Sequence, residues 1–244
     1  MFTINARGVY YKELNQMVRQ ALSDGAGEIL IKNVNGQCYI ADALRGSVRF
    51  TLEGTPGNNL AAYMDGPEVI IRGNAQDAVA NTMNSGTIVI HGDAGDTLGY
   101  AMRGGEIFVR GNAGYRAGIH LKEYGSKIPL IVVGGKTGDF LGEYMAGGII
   151  AVLGEPDGLN SVGRWCGTGM HGGVMYIRGE VPDYHLGNEV RICKPDAGDE
   201  AILSGILSRF RRHFKLSVAT YDLQSFIKLV PKSNRPYGNV YVDF

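Results

Sequence analysis

The chain is 244 residues long, with 24 Lys+Arg balancing 24 Asp+Glu, and its 37 glycines make up about 15% of it, where ~7% is usual. Balanced charge gives no electrostatic pull toward nucleic acid or an anionic membrane, and no apolar run reaches the roughly 18 residues of a spanning helix. The opening MFTINARGVYYKELNQ lacks the basic and apolar regions of a signal peptide, and Cys38, Cys166 and Cys193 fall in no paired spacing, which suits a reducing cytoplasm.

From the N-terminus, Tyr10, Leu14, Met17, Val18, Ala21 and Leu22 fall at helical spacing, and Asp24-Gly25 ends the run. Residues 1–26 therefore read as a helical cap. From Gly27 the pattern changes to a repeat of about 19–20 residues, cleanest in GTIVIHGDAGDTLGYAMRG, GEIFVRGNAGYRAGIHLKEYG and GIIAVLGEPDGLNSVG. Each copy is an alternating apolar strand, then Gly-x-x-Gly-x-x-x-Gly, then a short return. A period in this range predicts a solenoid.

Strand starts at Gly27, Gly46, Gly66, Gly86, Gly105, near Pro129, Gly148 and Gly173 predict about eight coils over 27–187. Glycines close the strands at Gly54, Gly73, Gly92, Gly111, Gly134, Gly154 and Gly179, with gaps of 19, 19, 19, 23, 20 and 25 residues. Two coils thus carry insertions, around Tyr124–Ile128 and Arg164–Met170. Period-2 alternation puts Val69/Ile71, Ile88/Ile90, Ile107/Val109, Leu130/Val132, Ile150/Val152 and Met175/Ile177 on one inward face. One such strand cannot bury that face alone; stacking at about 4.8 Å per coil turns these residues into columns.

After the last coil, Ile202, Leu203, Ile206, Leu207 and Phe210 return to helical spacing, with Asp199 as the expected N-cap. From Lys228, KLVPKSNRPYGNVYVDF reads as an extended arm. Residues 188–244 are thus a helix and an arm at the second end, within one structural domain. The expected fold class is an all-β solenoid, a single-stranded β-helix with short helical caps at both ends.

GDAGDTLGYAMRGG and GNAGYRAG resemble the GXGXG-motif domain family, which includes the C-terminal domain of the glutamate synthase large subunit and a subunit of formylmethanofuran dehydrogenase. The helix GVYYKELN and the passage GMHGGVMYIRG look more like the glutamate synthase branch, in its stand-alone subunit form. The resemblance implies a right-handed β-helix without catalytic residues of its own. It also implies that the amidotransferase site, FMN and the iron–sulfur cluster lie on other domains. This chain lacks those domains, so the resemblance implies separate partner subunits and no cofactor on this chain.

Chemistry-bearing candidates are few. Val133–Thr137 ends like a phosphate-binding loop, but Leu130 stands where that motif needs its first glycine. Gly111-Asn112-Ala113-Gly114 has no βαβ unit around it. His91, His120 and His171 fall in different columns, and two of them sit two coils apart, so one chain does not gather them around zinc. The cysteines have no cluster spacing and read as buried thiols. Asp93/Asp96 and Glu155/Asp157 sit on glycine turns, where polar residues serve conformation.

Two surface features remain as candidate partner-docking sites. The position before each strand-closing glycine carries Arg72, His91 and Arg110 in consecutive coils, recurs at Arg178, and is broken by Val133 and Leu153. It reads either as a solvated face or as a basic docking stripe for an acidic patch. Trp165 reads either as a packing residue or as an interface anchor, and only exposure makes it the second. The expected function is a non-catalytic scaffold subunit of a cytoplasmic glutamate synthase-type complex. Alternatives are the scaffold of a formylmethanofuran dehydrogenase-type complex and an autonomous metal-dependent β-helix enzyme with an intersubunit site. Whether the chain also forms a homo-oligomer is open.

Overall fold

In the computed structural model, which describes residues 1–154, 161–216 and 221–235, the glycine repeat winds into a β-solenoid of about six complete turns. Glu155 and Asp157 and the last stretch of the expected arm lie outside the described residues. β2 (Glu28–Asn35), β3 (Arg49–Thr55), β4 (Asp65–Arg72), β5 (Ser85–Ile90), β6 (Glu106–Val109), β7 (Leu130–Val133), β8 (Ala146–Val152) and β9 (Gly172–Arg178) are parallel neighbours in chain order. All eight expected strands are present. The number of full turns is slightly smaller than the eight coils expected.

Register runs Val69–Ile88–Ile107–Ile131–Ile150–Met175 down one inward column and Ile71–Ile90–Val109–Val133–Val152–Ile177 down the next. Every one of these side chains is fully buried. One expected pair is therefore out of phase: Ile131 and Val133 point inward, and Leu130 and Val132 point to the opposite face. Leu-Ile-Val-Val carries no polar alternation, because β7 is buried on both faces. The stacking leaves no room for a Cβ at some turns. At Gly99 (φ +68°) a Cβ would sit 2.5 Å from Ile131 Cδ1.

The N-terminal end matches the helical expectation, with a strand added. β1 (Phe2–Asn5) extends the sheet by one parallel pairing with β2. α1 (Tyr11–Ser23) then turns Leu14, Val18 and Ala21 into the column, while Met17 stays exposed.

The C-terminal helix is not an end cap. α2 (Ala197–Phe214), about 27 Å long at 1.5 Å per residue, lies across the outer face of the sheet. There Leu203, Ile206, Leu207, Phe210 and Phe214 cover Val89, Phe108, Leu130, Val132, Ala151, Leu153 and Tyr176. Those five helix side chains contribute a gross burial term of roughly 10 kcal/mol. Gly134 makes the approach feasible, since a Cβ there would stand 2.7 Å from Phe210 Cζ.

The edge beyond β9 is closed by antiparallel strands. β11 (Phe226–Pro231) pairs with β9, and β10 (Val190–Cys193) pairs with β11. The N-cap of α2 is Asp196, not Asp199: the Asp196 carboxylate accepts from the Asp199 N–H at 3.0 Å, and Asp199 accepts from the Asp196 N–H at 2.8 Å. Asp199 also receives the Tyr176 hydroxyl at 2.6 Å and Lys228 Nζ at 2.8 Å. One buried carboxylate thereby ties α2, β9 and β11 together.

Candidate functional site

Between strands, each coil places three left-handed residues at alternating positions. The sets are Asn59/Ala61/Tyr63, Ala78/Ala80/Thr82, Thr97/Gly99/Ala101, Arg116/Gly118/His120 and Phe140/Gly142/Tyr144, with φ from 51° to 70°. For a non-glycine residue this conformation costs about 1–2 kcal/mol. Hydrogen bonds to the coils on either side hold it. The Ala78 N–H donates to Asp96 O at 2.9 Å in one direction, and the Ala80 N–H to Leu60 O at 2.9 Å in the other. Sequence reasoning saw only the glycines of this pattern. Alanine, threonine and aromatics give no sign that their backbone is left-handed.

Two side-chain ladders reinforce the turns. Asn58, Asp77 and Asp96 accept from the N–H groups of Asp77, Asp96 and Tyr115 at 3.2, 2.9 and 2.8 Å. Asn74, Asp93 and Asn112 do the same for Asp93, Asn112 and Lys136 at 2.9, 2.7 and 2.8 Å. Asp93 and Asp96 thus serve the conformation of the turn.

Side chains on the later turns form a stacked surface. Phe140 and Trp165 stack with ring centres 4.9 Å apart and planes 14° apart, and the Arg116 guanidinium lies 4.6 Å from the Phe140 centre. Arg116 also pairs with the nearly buried Glu143 at 2.9 Å. One column over, His120 stacks on Tyr144 at 5.3 Å and meets the edge of Tyr100 at 5.9 Å. Trp165 remains 46% exposed despite its stacking. It packs on its own chain and still leaves an aromatic edge exposed.

The basic stripe spans the three consecutive coils its pattern expects. Arg72, His91 and Arg110 occupy consecutive coils, but the aligned position in the next coil is Gly134 rather than Val133. Leu153 follows, buried under α2. Arg178 is separate, stacked 5.2 Å over Tyr221 and donating to Leu153 O at 3.3 Å. His91 is half-buried, its ring 5.3 Å edge-on from Phe214 at the end of α2. Burial first, then the cations Arg72, Arg110, His213 and Lys215, hold its pKa below the ordinary histidine value.

The remaining candidates stay apart. His171 Nδ1 lies 3.0 Å from Gly169 O. Among the described residues no group of three or more His, Cys, Asp or Glu side chains is placed to hold a metal ion. Cys166 is fully buried, which pushes its thiol up to about 12, whereas Cys38 and Cys193 are only half-buried. All three are free thiols. Gly134 and Gly138 pack against the backbone of the preceding coil, and Thr137 is buried in the column, so this segment is a solenoid turn and not a phosphate cradle. No helix among the described residues is long and apolar enough to cross a membrane.

Comparison with known proteins agrees with the fold. An uncharacterized protein of Methanocaldococcus jannaschii is 42% identical over 248 residues, covering 98% of this chain and 95% of that protein. The GXGXG motif family matches residues 20–235, a span from α1 through every coil to β11. By that match and by the solenoid it predicts, the chain belongs to the GXGXG motif family, of the type that forms the C-terminal domain of the glutamate synthase alpha subunit.

Proposed function

We propose that this protein is a non-catalytic scaffold subunit of a cytoplasmic glutamate synthase-type oxidoreductase, standing against amidotransferase and FMN- and iron–sulfur-bearing partner subunits. The observation that carries the reading is the family match across residues 20–235, laid on a chain whose repeat is devoted to a rigid column. The stacked surface of Arg116, Phe140 and Trp165 supports it further. Aromatic and arginine side chains dominate interface hot spots, and these are pre-ordered by stacking before any partner arrives. FMN and the iron–sulfur cluster reside on the partners, and this chain's contribution is to hold those partners in one geometry.

The test is purification of the tagged chain from its native cell, with flavin and iron counted per chain. Recovery with an amidotransferase and a flavoprotein in fixed proportion is the expected result. A homo-oligomer free of any flavoprotein sinks the reading. Recovery with a molybdenum or tungsten formyl-group dehydrogenase transfers the scaffold role to that assembly instead.

A further inference from the structure

Among the described residues five cations form ion pairs with carboxylates. Arg49 meets Glu68 at 2.6 Å and Glu28 at 3.9 Å, Arg116 meets Glu143, and Arg209 meets Glu106. One corner gathers several unpaired ones around a single histidine. Where the last turn of α2 reaches the exits of β4, β5 and β6, Arg72, Arg110 and Lys215 are exposed around His91. None of the three has a carboxylate within 4 Å among the described residues. The strand register sets Arg72 and Arg110 two coils apart, about 10 Å, with His91 between them. Arg211 and Arg212 in the same last turn add to the positive field.

We propose that this corner docks an acidic, carboxylate-bearing segment of a partner protein, with Arg72, Arg110 and Lys215 as the contacting cations and His91 at their centre. The inference rests on the scaffold reading for the identity of the partner as a subunit, and adds the chemistry of one contact. Arginine forks at this spacing match carboxylates of an extended chain. A second copy of this chain is the wrong occupant, because a two-fold contact would press the same cations against each other.

His91 gives the docking a signature. In the free protein burial first, then the charges of Arg72 from β4, Arg110 from β6 and Lys215 just after α2, with His213 of α2 beside them, hold its pKa below the ordinary histidine value. Carboxylates arriving at the corner offset those cations and favour the imidazolium, so docking takes up a proton. Affinity then rises as pH falls. The added affinity is complete below the free-state pKa and lost above the bound-state value. His213 itself packs against Phe108 near Glu68 and Glu106.

The experiment measures binding of a fluorescent polyglutamate decapeptide by anisotropy at about 0.1 M salt, where the screening length is about 10 Å. The double substitution Arg72→Gln/Arg110→Gln is expected to weaken it about tenfold or more, as loss of two engaged charges does. Arg103→Gln/Lys122→Gln, with the same charge change elsewhere, is expected to weaken it less than about twofold, as for distant charges beyond the screening length. His91→Asn is expected to flatten the gain in affinity between about pH 7 and pH 5. Equal losses in the two double variants overturn the proposal, as does inorganic polyphosphate binding the corner more tightly than polyglutamate at equal charge. Within the native complex the two readings separate. Assembly unchanged by Arg72→Gln/Arg110→Gln sinks the corner and spares the scaffold. Polyglutamate binding in a chain recovered without any flavoprotein does the reverse.

Discussion

The early and late coils share one backbone and differ in what they carry. In both, three left-handed residues alternate along each turn. In the early coils the middle position is alanine, Ala61 and Ala80, flanked by Asn59, Tyr63, Ala78 and Thr82. In the late coils it is glycine, Gly118 and Gly142, flanked by Arg116, His120, Phe140 and Tyr144. The outer sheet face differs as well: Leu30, Thr51 and Ile70 are half-exposed, whereas Val89, Phe108, Val132, Ala151 and Tyr176 lie under α2. Because rung-to-rung hydrogen bonds supply the shape everywhere, the side chains on each face are free to specialise. They do so in the late half.

The harshest way to break the comparison is to destroy what both halves share. Ile107→Asp puts a charge into the inward column with no partner, at a cost above about 4 kcal/mol. A calorimetric melt should lose its cooperative transition across the whole chain; retention of a wild-type-like melt refutes the column.

Asp199→Asn acts on the late half alone. Removing the charge that Tyr176 and Lys228 share should cost about 2–3 kcal/mol. It should speed amide exchange in α2 and leave β2–β4 unchanged. Burial by itself would raise the Asp199 pKa. The hydrogen bonds from Lys228, Tyr176 and the Asp196 N–H outweigh it and hold the group below the ordinary carboxylate value. Its contribution is therefore present above about pH 4 and fades as pH falls through the depressed folded value. Melts taken from pH 7 down to pH 3 should show that loss in the wild type and not in Asp199→Asn.

A subtler test sits in the middle left-handed column. Gly118→Ala should cost about 2 kcal/mol, from the left-handed backbone and a Cβ 2.5 Å from Ile150 Cδ1. Ala80→Gly, at the same position in an early coil, should change stability by less than about 1 kcal/mol, since relieved strain offsets lost packing. Denaturant midpoints distinguish the two, and equal effects would mean the halves are not distinct. Smallest of all, Trp165→Ala should cost about 1 kcal/mol of stacking on Phe140 while the melt stays cooperative.

Much of this was legible in the sequence, for a physical reason. Glycines are required where coils turn and touch, so their rhythm located all eight strands and the insertions near Tyr124 and Arg164. Leu130 and Val132 were misphased because a strand covered on both faces has no polar side to betray its register. The position of α2 was hidden in the same residues: Phe108 and Tyr176 alternate with the core and give no sign that a helix covers them. Asp199 was misplaced by three residues because Asp196 and Asp199 both suit a helix start, and the capping box uses both. At the candidate site, Trp165 and the Arg72–His91–Arg110 run could be picked out by type and spacing. The Arg116–Phe140–Trp165 stack could not, because the 24- and 25-residue separations across the insertions conceal that these residues share a column.

Hydroxyl-radical footprinting of the chain, free and in its native complex, tests the central claim most directly, since exposed aromatics occur in both halves. The account predicts that Trp165 and Tyr115 become protected in the complex while Tyr39 and Tyr63 keep their free-state reactivity. Protection of Tyr39 and Tyr63 with Trp165 unchanged, or no partner-dependent protection at any of the four, would contradict it.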